Sequence, residues 1–304
     1  MSGLFFSGIN IQMYIYMGKT YKKIKKGGLK TRKNICSPSS NIHKLTSNTC
    51  MTPDIVLKIK KTYNDEHPLS KINTNDPIKI FKNLRQRFKC DMDTCWLEKI
   101  GDKAVKSEIK KRIFIPKRPV QWTKTPNEWL SNYDILNVIK QYEEAYPEFY
   151  FIGPTPIDFE KKLNGSCVTR ELCSFHLGSV SSKKQIGIIF NLDEHDEPGS
   201  HWVSMYIDID NKKIYYFDSA STEIPKEIES FKNRLIQENG DFYFLSNSVE
   251  HQKGNTECGM YSLYFIIQML LSKNRLKLFN NRFNNDSYKI TDKNIEEYRS
   301  IYFY

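Results

Sequence analysis

Three side chains able to do acyl-transfer chemistry stand in the order His201, Asp218, Cys258 in this 304-residue chain. Cys258 belongs to Gly254-Asn255-Thr256-Glu257-Cys258-Gly259, which leads into a run, Glu257–Leu271, that is apolar on every side. Such a run predicts a helix buried in the middle of a domain. A cysteine in its first turn feels the positive end of the helix dipole, which favours the thiolate. Gln252, six residues before Cys258, is placed to offer a side-chain N–H to a developing oxyanion, and Gly259 would let a substrate backbone approach. Singly, each residue has a plain reading: a buried core cysteine, a strand-end histidine, an aspartate in a turn. Their combination points to thiol-based acyl transfer.

The elements that must position them can be read from alternation. From His201-Trp202, the apolar residues Val203, Met205, Ile207 and Ile209 alternate with Ser204, Tyr206, Asp208 and Asp210. Asp210-Asn211 is a turn dipeptide, and Lys212–Phe217 returns. A two-residue loop there pairs Ile214 with Ile207 and Tyr216 with Met205, so both apolar rows coincide, and sets Asp218 opposite Val203. His201 then lies on the same face as Asp218, as its diagonal neighbour roughly 7–8 Å away at the backbone. The hairpin alone would build a His–Asp pair, and a one-residue slip would break it. Asp208 and Asp210 take the outward parity and are poor rivals to Asp218. His251, in the loop before the helix and without an evident carboxylate, ranks below His201 as the base.

These residues carry a family resemblance. His-Trp, an Asp after the following strand and Gln-x5-Cys-Gly at a helix start resemble the cysteine-protease superfamily of SUMO-deconjugating enzymes and the adenovirus protease. Here they are His201-Trp202, Asp218 in Phe217-Asp218-Ser219, and Gln252 through Cys258-Gly259. A closer likeness is to the polyprotein-processing proteases of African swine fever virus and related large DNA viruses, on Thr256–Leu263, on Cys90-Asp91-Met92-Asp93-Thr94-Cys95, and on the stretch from Trp129 to Phe159. It covers about residues 75–300. One departure is that Asp218 stands where the swine-fever enzyme has Asn, which favours an ion-paired imidazolium. The resemblance implies an α+β fold: a cysteine-protease core whose mixed sheet packs on the buried nucleophile-bearing helix, preceded by a helical arm domain. It also implies that Trp202 walls a narrow site mouth that favours Gly-Gly before the cut.

The rest of the chain sets the frame. The formal charge is +11, but nine bases and no acid lie in residues 1–50, so residues 51–304 net only +2. We expect a basic, disordered tail over 1–50, a helical arm over 51–120 and a catalytic domain over 121–304. A hydrophobic content of 39% excludes a disordered chain, and a mean hydropathy of −0.58 excludes a polytopic membrane protein. Residues 1–18 carry no secretory signal pattern, because the bases follow the apolar run, and polar residues interrupt that run too often for a membrane span. Seven cysteines, an odd number, fit free thiols in a reducing compartment better than a disulfide framework. Cys90 and Cys95 have the wrong spacing and no second pair for zinc, so no metal and no cofactor are expected. Asp76-Pro77 opens a helix with Ile78, Phe81, Leu84 and Phe88 on one face, and Ile135, Val138, Ile139, Tyr142 and Tyr146 mark another that Pro147 stops.

The expected function is that of a viral thiol endopeptidase with a His-Asp-Cys triad, cutting after Gly-Gly in structural polyproteins during virion maturation. Its expected places are the virion and the host cytoplasm during assembly. Two alternatives share some of these features. One is an isopeptidase removing a ubiquitin-like modifier, with the same catalytic residues. The other is a non-enzymatic nucleic-acid-binding virion protein, suggested by residues 1–50 and by the seven bases within 103–118, either of which could touch DNA or another polyanion. Lys26-Gly27-Gly28-Leu29 is a site the enzyme could cut in itself, or simply a flexible joint.

Overall fold

The computed structural model describes residues 35–304. The Gly27-Gly28 site and most of the basic tail lie outside the described residues. Folding begins earlier than composition suggests. Ser37 caps helix α1 (Pro38–His43), its hydroxyl accepting the Ser40 N–H. Cys36 is disulfide-bonded to Cys50, and Ile115 N–H donates to the Ile35 carbonyl at 2.8 Å. Residues 35–50 are therefore part of the folded protein. A Ser/Asn/Thr-rich stretch reads as tail by composition, but Ser-Pro at a cap and first turn is a helix start.

Four more helices follow: α2 (Pro53–Glu66), α3 (Pro77–Phe88), α4 (Asp93–Glu98) and α5 (Lys103–Ile113). With α1 they enclose one apolar cluster that includes Ile59, Leu84, Trp96, Ile109 and Ile113. In α3 the cap is Asp76, as expected, but the buried face is Ile80, Leu84 and Phe88. Ile78 is 52% exposed. Two positions before Ile80, it points about 160° away from that residue around the helix axis.

The remainder is built on a five-stranded mixed sheet of order β1-β4-β5-β6-β7, with β1 (Phe149–Pro156), β4 (Gln185–Asn191), β5 (Trp202–Asp208), β6 (Lys213–Phe217) and β7 (Tyr243–Ser246). The small hairpin β2 (Lys162–Leu163) and β3 (Ser166–Cys167) stands apart, followed by α7 (Arg170–Cys173). β1 is parallel to β4, β4–β5–β6 are antiparallel, and β7 is parallel to β6. Helix α6 (Asn132–Ala145), with its Ser131–Asp134 capping box, precedes the sheet, and α8 (Lys226–Asn239) crosses from β6 to β7. Helix α9 (Cys258–Leu271) packs on the sheet, chiefly on β5. Twelve of its residues are buried. The short α10 (Arg275–Leu278) and the C-terminal α11 (Asp292–Tyr302) close the fold. This is the mixed α+β architecture the sequence implies.

The hairpin register is the expected one: Ile207 faces Ile214, Met205 faces Tyr216 and Ser204 faces Phe217. The loop is longer, however. Pairing ends at Asp208–Lys213, and the turn Ile209–Lys212 closes with Lys212 N–H on the Ile209 carbonyl at 3.1 Å, Lys212 taking the left-handed φ of 49°. Lengthening a symmetric loop from two residues to four leaves every pairing unchanged. The outward parity of Asp208 does not hold. Every residue of β5 is buried, because α9 covers one face of the sheet and α8 the other. Asp208 is 1% exposed and paired with Arg275 at 3.0 Å.

The cysteines also differ from expectation. Cys36–Cys50, Cys90–Cys95 and Cys167–Cys173 are disulfide-bonded, and Cys258 is the free thiol of the described residues. An odd total hid three pairs plus one. No described helix is long and apolar enough to cross a membrane.

Candidate active site

The cysteine at the start of α9 is held in place from both sides. Cys258 is the first helical residue, with Glu257 as N-cap, and it is 1% exposed. One helical turn on, the Ser262 hydroxyl donates to the Trp202 carbonyl at 3.2 Å and ties α9 to the first residue of β5. The His201 carbonyl accepts the Leu192 N–H at 2.9 Å. His201 is thereby fixed at the strand mouth beside α9.

His201 Nε2 donates to Asp218 Oδ1 at 2.6 Å. The other ring nitrogen, Nδ1, is left for the thiol. Asp218 is buried and accepts three further hydrogen bonds: Ala220 N–H on Oδ1 at 2.9 Å, and Thr222 N–H and hydroxyl on Oδ2 at 2.9 and 2.6 Å. Asn247 grips the same residue by its backbone, accepting Asp218 N–H at 2.9 Å and donating to its carbonyl at 2.7 Å. Burial alone would raise the Asp218 pKa, but the His201 hydrogen bond and charge, with Thr222 and Ala220, hold it below the usual carboxylate range. The imidazole responds in the opposite sense. Burial pulls its pKa down, while hydrogen bonding and charge from Asp218 and Cys258 outweigh this and push it up to about 9. A ring held this way is an imidazolium across the neutral range.

Gln252 is buried, with Ser219 donating its hydroxyl to Oε1 at 2.8 Å and Nε2 donating to the Gly254 carbonyl at 3.0 Å. These contacts fix the amide so that nitrogen, not oxygen, lies toward the Gly254–Cys258 loop, with one N–H to spare. His251 is not a base of this site. Its ring nitrogens face the carbonyls of Ile290 and Phe283 at 3.3 and 2.9 Å, and burial lowers its pKa.

Two residues have roles different from those expected. A Cβ on Gly259 would come within 3.0 Å of Leu130 Cβ and 3.2 Å of Trp202 Cδ1. The glycine therefore admits Leu130 and the indole, not a substrate backbone. Trp202 is itself buried and donates its indole N–H to the Leu130 carbonyl at 3.2 Å. Leu130, which packs on Gly259 and accepts the Trp202 indole N–H, escapes sequence reasoning although it immediately precedes the Ser131 cap. Elsewhere, His195 Nδ1 donates to Asp158 Oδ2 at 2.7 Å, and Lys161 sits between Asp158 and Glu194, filling the space a cation would take.

Fold and site together define the class, a cysteine protease. The family model described as "Ulp1 protease family, C-terminal catalytic domain" matches residues 136–303, and the chain belongs to this family. A thiol protease of Acanthamoeba polyphaga mimivirus is 31% identical over 271 residues, covering 78% of this chain and 84% of its own. A cysteine protease of African swine fever virus is 26% identical over 245 residues, covering 73% and 86%. The crystal structure of an African swine fever virus protease aligns over 90% of this chain and 96% of its own with a TM-score of 0.57 at 18% identity, so the fold is shared.

Proposed function

We propose that the chain is a viral thiol endopeptidase in which Cys258, His201 and Asp218 form the catalytic triad and Gln252 the oxyanion site. The observation that carries this is the 2.6 Å His201–Asp218 pair beside a cysteine at the first turn of the buried helix. In the reaction, the Cys258 sulfur attacks the scissile carbonyl and the spare N–H of Gln252, with a backbone N–H at the helix start, holds the oxyanion. His201 passes its proton to the leaving amine and then, as base, takes one from the water that hydrolyses the thioester. Asp218 holds the ring in its tautomer and offsets its charge.

The proposed substrates are structural polyproteins cut after Gly-Gly during virion maturation, in the virion and in the host cytoplasm during assembly. Membership of the Ulp1 protease family and similarity to viral thiol and cysteine proteases support a protein substrate. A second reading, removal of a ubiquitin-like modifier, is favoured by the naming of several swine-fever relatives as SUMO-1 cysteine proteases. The deciding experiment compares a Gly-Gly-Xaa peptide with a modifier conjugate. A strong preference for the peptide supports the endopeptidase, and preference for the conjugate supports the alternative.

An accessory polyanion contact is part of the proposal. In and just after α5, Lys106 pairs with Glu98 and Arg112 with Asp54, whereas Lys103, Lys110, Lys111, Lys117 and Arg118 form no ion pair among the described residues. DNA stimulation that fades with salt would support it. Self-cleavage after Gly28 is tested by the intact masses of wild type and Cys258→Ala: if both keep residue 1, it is excluded.

A further inference from the structure

The loop that delivers the nucleophile, Lys253–Glu257, meets the segment carrying Asp218 through the Gln252–Gly254 hydrogen bond alone among the hydrogen bonds of the described residues. Its other long-range hydrogen bonds run to the C-terminal helix. Asp292, the first residue of α11, accepts the backbone N–H groups of Lys253 and Gly254 on Oδ2 at 3.0 and 2.9 Å. Its other oxygen accepts the Tyr261 hydroxyl at 2.9 Å, one turn into the nucleophile helix. Seven residues on, two turns and about 10 Å along the same helix face, Arg299 reaches Glu257. Its Nε and Nη2 fork onto the Glu257 carboxylate at 3.0 Å each. Both partners are buried, at 5% and 2% exposure, and the guanidinium lies 4.5 Å over the Trp122 ring.

Glu257 is the N-cap of α9, yet its side chain makes no capping bond. Its carboxylate is turned away to Arg299, and its carbonyl accepts the Tyr261 N–H at 2.9 Å. Whatever moves Glu257 therefore moves the next residue, Cys258. A buried fork–fork pair is geometrically demanding, and one partner without the other is strongly unfavourable. We propose that Asp292 and Arg299 are positioning residues of the active site: one helix clamps both ends of the nucleophile loop and sets where the Cys258 sulfur lies relative to His201 and Gln252. This rests on the reading of Cys258 as the nucleophile.

The test uses Arg299→Lys, which keeps the charge and loses the fork, Asp292→Ala, and Glu257→Gln, which is isosteric and keeps a partner for Arg299. Lys293→Ala, exposed on the same helix, is the control. Hydrolysis of a quenched Gly-Gly-Xaa peptide gives kcat and KM, and thermal melting reports folding. A displaced nucleophile costs about tenfold to a hundredfold in rate. Arg299→Lys and Asp292→Ala should lose that factor in kcat while KM stays within about twofold. Their rate of Cys258 alkylation by iodoacetamide should change at pH 7, and Glu257→Gln should retain more activity than Arg299→Lys. If Arg299→Lys does not fold, Asp292→Ala and Glu257→Gln carry the test. Folded variants with wild-type kcat, or a loss that tracks the unfolded fraction alone, would overturn the positioning role. A wild type that cleaves no better than Cys258→Ala would instead refute the protease chemistry on which the proposal rests.

Discussion

Asp218→Asn is the perturbation whose consequence the structure defines most closely. Asp218 receives four hydrogen bonds on two oxygens, from His201 and Ala220 on Oδ1 and from Thr222 twice on Oδ2. An asparagine can keep its oxygen toward His201 and Ala220. Its amide nitrogen then meets Thr222, whose hydroxyl can reverse and accept, while the Thr222 N–H loses its acceptor. The tautomer of His201 is preserved and the negative charge is gone. The imidazole pKa stands at about 9 against an ordinary 6.5, a preference for the charged ring of about 3 kcal/mol. Loss of the Asp218 charge should return the pKa most of the way to the ordinary 6.5, a fall of about two units. If the imidazolium is the active form, the proton alone then predicts a loss of about tenfold at pH 8 and less than about twofold at pH 6. The assay is kcat/KM for a Gly-Gly-Xaa peptide from pH 5.5 to 10, with the wild-type basic limb at about 9 and that of Asp218→Asn near 7. A mutant-to-wild-type ratio that is constant across this range would refute the argument.

Other outcomes follow from the same geometry. The folded pKa of His201 lies above its unfolded value, so its stabilisation is complete below about pH 6.5 and is lost as pH rises through about 9. The wild-type melting temperature should fall over that window, and that of His201→Gln should stay flatter. Asp218, held below the carboxylate range, contributes stability that is lost only as pH falls below about 4. Gln252→Ala should lower kcat by about a hundredfold to a thousandfold with little change in KM, read by steady-state kinetics. Gly259→Ala would press a Cβ against Leu130 and Trp202 and should destabilise by about 1–3 kcal/mol, seen in denaturant melts.

The parts of this site legible in the sequence are those set by local rules. Strand parity placed His201 and Asp218 on one face because pairing in a hairpin has period two, and even a wrong loop length left that parity intact. The all-apolar run announced the buried helix and put Cys258 in its first turn. What remained hidden depends on partners distant in the chain. Glu257 meets Arg299 across 42 positions, Asp208 meets Arg275 across 67, and Trp202 meets Leu130 across 72. No periodicity links such pairs. Asp208 looked solvent-facing because alternation assumes one wet face, and this sheet has none. Strand β1 was invisible because Gly153, Pro154 and Pro156 read as loop. At the edge of the sheet, with pairing to β4 interrupted after Ile152, prolines are tolerated.

Catalysis as proposed requires Cys258 to attack as a nucleophile activated by His201. A peptide ending in Gly-Gly-vinyl sulfone, incubated with the folded protein and followed by intact mass and peptide mapping, tests this directly. We predict one adduct, on Cys258, formed rapidly by wild type, slowed by at least about a hundredfold in His201→Ala and absent in Cys258→Ala. An adduct on another residue, or equal labelling of wild type and His201→Ala, would contradict it.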